Sequence, residues 1–210
     1  MDHRLAAIVL AAGSSRRMGQ FKPLLLLGNR PLIWQVVHDV RIALPEAEVL
    51  LITGYQADHV RQALLDQDVR FVHNPHHEPG EMFSSVKAGI ETLSATCDAF
   101  LIVLGDQPMV RQQTVRELCN RWNETRAPAV IPTHHGKRGH PIVIDASRAG
   151  EILSLPKDAT LKTFISQVAD RVVELPTDDP AVVADVDTPE DYQDALRRWE
   201  EIKGRGYEET

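Results

Sequence analysis

Residues 5–22 read LAAIVLAAGSSRRMGQFK, and the order of residue types within them sets the fold. The apolar run Leu5–Ala11 has the length of a buried strand and empties directly into a loop holding Gly13, Ser14, Ser15 and Gly19. Such a loop at a strand end offers backbone N–H groups and hydroxyls to an anion, and Arg17 and Lys22 add charge. Two readings stand: a phosphate cradle, or a Gly/Ser-rich turn carrying solvated arginines. The charge pattern favours the cradle. Acids make up 30 of 210 residues, yet none lies between His3 and His38, where Arg4, Arg16, Arg17, Lys22 and Arg30 all fall. A locally positive segment on an acidic chain suits a small anionic ligand.

The composition narrows the partners. A net charge of −7 argues against nucleic acid, which demands a broad basic face rather than one basic loop. With 43% hydrophobic and 25% charged residues the chain is of the globular class, and its length fits one domain, expected over residues 1–203 with a frayed tail at 204–210. Cys97 and Cys119 are too few for a disulfide framework. No run approaches the roughly 20 apolar residues of a membrane span, and the N-terminus lacks the regions of a secretion signal. The expectation is a cytoplasmic, reduced protein with no membrane partner.

Apolar runs at Leu5–Ala11, Glu48–Thr53, Val69–His73, Asp98–Leu104 and Ala129–Pro132 read as strands. Helical spacing separates them: Ile33, Val36, Val37 and Val40; Val60, Ala63 and Leu64; Val86, Ile90 and Leu93; Val115, Leu118, Cys119 and Trp122. This alternation predicts a Rossmann-like α/β fold, three layers with a mostly parallel central sheet, whose ligands gather at the carboxyl ends of the strands. Beyond Pro132 the pattern predicts a turn at Gly136–Gly139, strands at His140–Asp145, Arg171–Leu175 and Val182–Asp187, and a helix over Leu161, Phe164, Ile165 and Val168. Trp34, Trp122 and Trp199 fall on apolar helix faces and read as core.

Two acidic sites stand out. Asp106, in Gly105-Asp106-Gln107-Pro108, follows the apolar run ending at Leu104, so its carboxylate emerges at a strand's carboxyl end. It reads as a ligand for a hard cation or as a capping Asp. Far along the chain, Thr188 and Pro189 announce a helix start, with Tyr192, Ala195, Leu196 and Trp199 as its buried face. Capping by Thr188 leaves Asp185 and Asp187 unexplained. Alternation along a strand would turn both to one face, and one of them reads as a metal ligand, with Asp187 nearer the strand end.

The Leu10–Lys22 signature, LAAGSSRRMGQFK, together with Gly105-Asp106-Gln107-Pro108 and Asp187-Thr188-Pro189-Glu190-Asp191, resembles the single-domain nucleotidyltransferases, and among them the molybdenum cofactor cytidylyltransferases. The likeness runs from Leu5 to about Trp199. It implies transfer of CMP from CTP to a phosphorylated acceptor of the molybdopterin type, with pyrophosphate released and a molybdoenzyme as recipient of the product. It further implies that Leu10, Ala11, Ala12, Gly13, Ser14 and Ser15 bind the nucleotide and that Arg17 and Lys22 contact its phosphates. Asp106, beside Gly105, and Asp187 would hold Mg2+. Guanylyl-transferring relatives carry a second glycine where Ala12 stands, which favours CTP. Asn74 through Gly80, Met82, Ser84 and Ser85 resembles a loop that closes on the base, although Glu81 interrupts it; Ser84 reads equally as a helix N-cap. Arg138-Gly139-His140-Pro141 resembles a turn facing the acceptor, so that Gln107, Pro108 and His140 would line that pocket.

Other classes fit less well. The spacing from Gly13 to Gly19 is not the G-x-G-x-x-G of dinucleotide enzymes, and no Lys-Ser or Lys-Thr follows Gly19 as in a P-loop. A non-catalytic nucleotide sensor would not need both acids. Clusters at His73, His76 and His77 and at His134, His135 and His140 match no zinc spacing. A sugar phosphate as acceptor, or GTP as donor, remains within the same chemistry.

Overall fold

The computed structural model describes residues 3–15, 18–76 and 82–203. Arg17 of the cradle, His77, Gly80 and Glu81 of the base-side loop, and the 204–210 segment lie outside the described residues. The chain runs β1 (Leu5–Ala11), β2 (Leu26–Leu27), β3 (Arg30–Pro31), α1 (Leu32–Ala43), β4 (Glu48–Thr53), α2 (Ala57–Ala63), β5 (Arg70–His73), α3 (Met82–Thr92), β6 (Ala99–Leu104) and α4 (Gln112–Thr125). It continues with β7 (Ala129–His134), β8 (Lys137–Arg138), β9 (Ile142–Asp145), α5 (Ala149–Ser154), α6 (Leu161–Gln167), β10 (Val173–Pro176) and α7 (Pro189–Lys203).

The sheet order is β10-β7-β9-β6-β1-β4-β5, with β8 paired to β7. β1 is parallel to both β4 and β6, β4 to β5, and β7 to β10; β9 runs antiparallel between β6 and β7. Central position explains why β1 is apolar at successive residues. Ala7, Val9 and Ala11 pack with α1 and α4 through Val36, Val37, Leu118 and Trp122, whereas Ala6 and Ile8 pack with α3 through Phe83, Val86 and Ile90. A third cluster joins Met18, Leu27 and Leu32 to Val186, Ala195 and Trp199, docking α7 beside the cradle and the β2–β3 hairpin.

Several expectations need correction. Val182–Asp187 is no strand: Pro180–Val183 forms a 3-10 turn, and residues 184–187 join no ladder. The backbone there bonds to loops instead. The Val182 carbonyl accepts from His140 N–H at 2.8 Å, and Val186 N–H donates to the Asp106 carbonyl at 3.0 Å. Asp185 and Asp187 are therefore placed by loop contacts and not by strand alternation. Trp34 is half-buried rather than core, because its indole N–H donates to Asp66 at 2.9 Å and the Arg30 guanidinium covers its ring. The turn after β7 falls at His135 and Gly136, both of positive φ, one residue earlier than expected and matching a tight two-residue hairpin.

Two glycines permit the approaches on which the site depends. A Cβ on Gly105 would meet the Leu10 carbonyl oxygen at 2.6 Å, where β1 and β6 end side by side. On Gly139 it would meet the Val182 carbonyl oxygen at 2.0 Å. Gly139→Ala must push residues 182–187 outward, at a cost of about 1–3 kcal/mol. Thermal denaturation should show the melting temperature falling by roughly 3–10 °C. Gly150→Ala, which meets nothing within 4 Å, should show no loss.

Candidate active site

The loop after β1 is held by its own backbone. The Ala12 carbonyl accepts from Tyr55 N–H at 3.1 Å, fastening the loop to the end of β4, and the Leu10 carbonyl accepts from Gly105 N–H at 3.0 Å, fastening β1 to β6. Ser15 adopts a positive φ of 53°; its carbonyl accepts from Met18 N–H and its hydroxyl accepts from Lys22 N–H, each at 3.1 Å. The loop so closes on itself and returns Lys22 to the strand end. Gly13 is exposed, its φ is not positive, and no atom lies within 4 Å of where its Cβ would be. Nothing in the fold requires glycine there, whereas a ligand approaching the backbone would. Ser14, Ser15 and Gly19 border an open cleft of about 650 Å³, closed on the other side by Phe21, Tyr55 and Gln56.

Lys22 reaches from this loop to both distant acids. Its Nζ donates to Asp106 Oδ2 at 2.7 Å and to Asp187 Oδ1 at 2.8 Å, so the two carboxylate oxygens lie no further apart than the sum of those contacts. The ammonium is 14% exposed and the carboxylates about a quarter exposed. Burial acts to lower the Lys22 pKa, but the charges and hydrogen bonds of Asp106 and Asp187 outweigh it and hold the value above its ordinary one. The Asp106 carboxylate is thus engaged with Lys22 and caps no helix. Asp179, rather than Asp106, fastens the start of α4, accepting from Arg111 N–H at 2.9 Å and Thr114 Oγ1 at 2.8 Å.

Asp185 stands beside the pair without touching Lys22. Its Oδ1 accepts from Gln107 Nε2 at 2.7 Å, and the same amide reaches the Val182 carbonyl at 3.3 Å. Burial, then the charge of Asp106, pushes the Asp185 carboxyl up. Gln107 and Pro108 are buried, and the Gln107 amide fastens residues 182–185 to the Asp106 turn. That turn-to-turn tie had no sequence signal, since 78 residues separate Gln107 from Asp185.

On the base side, buried Asn74 organises the end of β5. Its Nδ2 donates to Ser84 Oγ at 2.8 Å and to Ser85 Oγ at 3.0 Å, and its Oδ1 accepts from His76 N–H at 2.9 Å. Ser84 Oγ donates in turn to the His76 carbonyl at 2.8 Å. Ser84 lies within α3 and locks the loop 74–76 onto that helix. Asn74 was legible as part of a family-like stretch, but its role as the hub was not.

Among the described residues no group of three or more His, Cys, Asp and Glu side chains gathers as a metal cage. The donor set present is a pair of carboxylates converging on the Lys22 ammonium. That fits Mg2+, which takes one or two carboxylates and completes its octahedron with phosphate oxygens and water. Burial pushes the Cys97 thiol up to about 11 and the Cys119 thiol up to about 12, disfavouring the thiolate that nucleophilic chemistry needs.

His140 sits in the Gly139–Pro141 turn against Val182, and its burial lowers its pKa, opposed only in part by Asp106. A histidine whose folded value lies below its unfolded one binds its proton first in the unfolded chain, so stability is full above the unfolded value and falls as pH drops below it. Thermal denaturation between about pH 7.5 and pH 5.5, spanning the ordinary histidine pKa, should show a decline toward acid that His140→Gln flattens.

Residues 7–172 match the family of the MobA-like NTP transferase domain. The molybdenum cofactor cytidylyltransferase of Escherichia coli (strain K12) is 27% identical over 201 residues, covering 93% of this chain and 97% of that protein. Rv0371c of Mycobacterium tuberculosis H37Rv superposes with a TM-score of 0.78 at 26% identity, covering 94% of this chain and 99% of that one. Its homolog from Mycobacterium sp. strain JC1 gives 0.83 at 25% identity, covering 96% and 100%. With the signature loop, the sheet order and the carboxylate pair in place, the chain belongs to the MobA-like NTP transferase family.

Proposed function

We propose that this nucleotidyltransferase moves CMP from CTP to the phosphate of a small acceptor of the molybdopterin type and releases pyrophosphate. One observation carries the reading: Asp106 and Asp187, from opposite halves of the chain, meet at Lys22 on the rim of a glycine-lined loop. The E. coli relative, aligned over nearly its whole length, is named for that activity, and Ala12 favours cytidine over guanosine. Delivery of the product to a molybdoenzyme belongs to the same proposal.

Nucleotidyl transfer depends on positioning and charge neutralisation rather than on an enzyme nucleophile. An acceptor phosphate oxygen attacks the α-phosphorus of CTP while the bond to pyrophosphate breaks. Backbone groups of Leu10–Ser15 would receive the nucleotide, with Gly13 leaving room for its close approach. Lys22, and Arg17 by its place in the signature, would take up negative charge on the departing phosphates. Asp106 and Asp187 would hold Mg2+, which when bound supplies charge neutralisation between nucleotide and acceptor. His140, kept neutral by burial, together with Gln107 and Pro108, would border the acceptor, and Ser84 and Ser85 would shape the nucleotide side through Asn74.

Thermal shift with CTP, GTP, UTP and ATP in the presence of magnesium should show the largest stabilisation with CTP, because a ligand that binds only the native state raises the melting temperature. A larger shift with GTP would overturn the cytidylyl assignment. Asp106→Ala should keep the fold by circular dichroism and lower pyrophosphate release with molybdopterin at least about 100-fold. Gly13→Ala should melt like the parent yet bind CTP more weakly, by titration calorimetry.

A further inference from the structure

Lys22 occupies the notch between the two carboxylates that would hold a divalent ion. Its ammonium contacts Asp106 Oδ2 and Asp187 Oδ1 at hydrogen-bond distance and so joins the two carboxylates. Magnesium binds carboxylate oxygen at about 2.0–2.1 Å, so an ion bridging those same two oxygens would sit in the notch the ammonium fills. A singly and a doubly charged cation would then share one partly buried site, where their repulsion is weakly screened.

The anchoring of Lys22 allows an exchange without moving the fold. Its backbone is pinned by the Ser15 hydroxyl and by the 3-10 turn Lys22–Leu24, whose Pro23 is buried. Only the four-carbon stem has to swing. Because the pin is itself a cradle residue, an ammonium released from the carboxylates would pivot at the edge of the cradle, within reach of phosphate oxygens bound there.

We propose that Lys22 is a placeholder cation: its ammonium and the divalent ion occupy the Asp106–Asp187 notch in turn, and an arriving triphosphate opens the notch by drawing the ammonium onto its phosphates. The inference rests on the transferase reading and adds to it an order of events. Without nucleotide the protein resists the metal; with nucleotide bound, the metal enters easily. The placeholder also spares the unliganded protein two carboxylates facing one another, with Asp185 a third acid alongside.

The test uses Mn2+ alone as the metal, followed by electron paramagnetic resonance of the free ion, with no nucleotide present. Lys22→Gln should bind Mn2+ about tenfold or more tightly than the parent, within the usual range of coupling between two ligands. Equal or weaker binding overturns the proposal, as does failure of Lys22→Gln to bind Mn2+. A second measurement needs no variant and decides the matter should Lys22→Gln not fold. Acetylation of lysines in the parent protein, read by mass spectrometry, should label Lys22 slowly without metal and at least about fivefold faster at saturating Mn2+, with exposed Lys137 and Lys157 as references. A Lys22 rate indifferent to Mn2+ overturns it. Pyrophosphate release is assayed separately, so the two readings fail separately. Both metal results without transfer from any nucleotide would sink the transferase reading alone, and transfer with unchanged metal results would sink the placeholder alone.

Discussion

One ammonium joins the two halves of this molecule at its site. Lys22 is 84 residues from Asp106 and 165 from Asp187, yet it donates to both. Nothing local brings them together. The parallel pairing of β1 with β6 delivers Asp106 beside the loop, and the apolar contact of α7 with Met18, Leu27 and Leu32 delivers Asp187. The burial of Val186, next to Asp187 in the chain, and its N–H bond to the Asp106 carbonyl fix the last few ångströms. The packing energy of an apolar cluster so holds like charges near one another, with the Lys22 ammonium between them.

The residues that read most clearly in the sequence were those whose partners lie close along the chain. The apolar run of β1 with its glycine-bearing exit, the helical spacing of α1, α3 and α4, and the Thr188-Pro189 start of α7 all depend on local periodicity and capping. Thr188 and Asp191 indeed form the reciprocal cap, Thr188 N–H donating to Asp191 Oδ2 at 2.8 Å and Asp191 N–H to Thr188 Oγ1 at 3.2 Å. Val182–Asp187 misled because its alternating apolar residues satisfy two loops instead of a sheet, a distinction that periodicity does not carry.

The charge pattern was informative and incomplete. A count of acids from His3 to His38 marks that segment as positive, but folding brings acids to it from elsewhere: Asp66 pairs with Arg30 at 3.2 Å, and Asp106 and Asp187 pair with Lys22. The segment is less a free positive lobe than a set of cations waiting on partners that can be exchanged. The tie of Gln107 to Asp185 and the role of Asn74 as the hub for Ser84 and Ser85 were not legible, since a side-chain amide that bridges separate segments has no fixed spacing.

The antiparallel insertion of β9 bears on how the chain assembles. β7 joins the β6-β1-β4-β5 part of the sheet through β9, which fills the slot next to β6. The unit β7-β8-β9 closes through short connections, whereas β6 must find β1 across much of the chain, a costlier loop to close. A hairpin that forms early would therefore carry β7 and, behind it, β10 to a waiting sheet edge at β6, and the turn bearing His140 would reach the Asp106 loop in the same docking step.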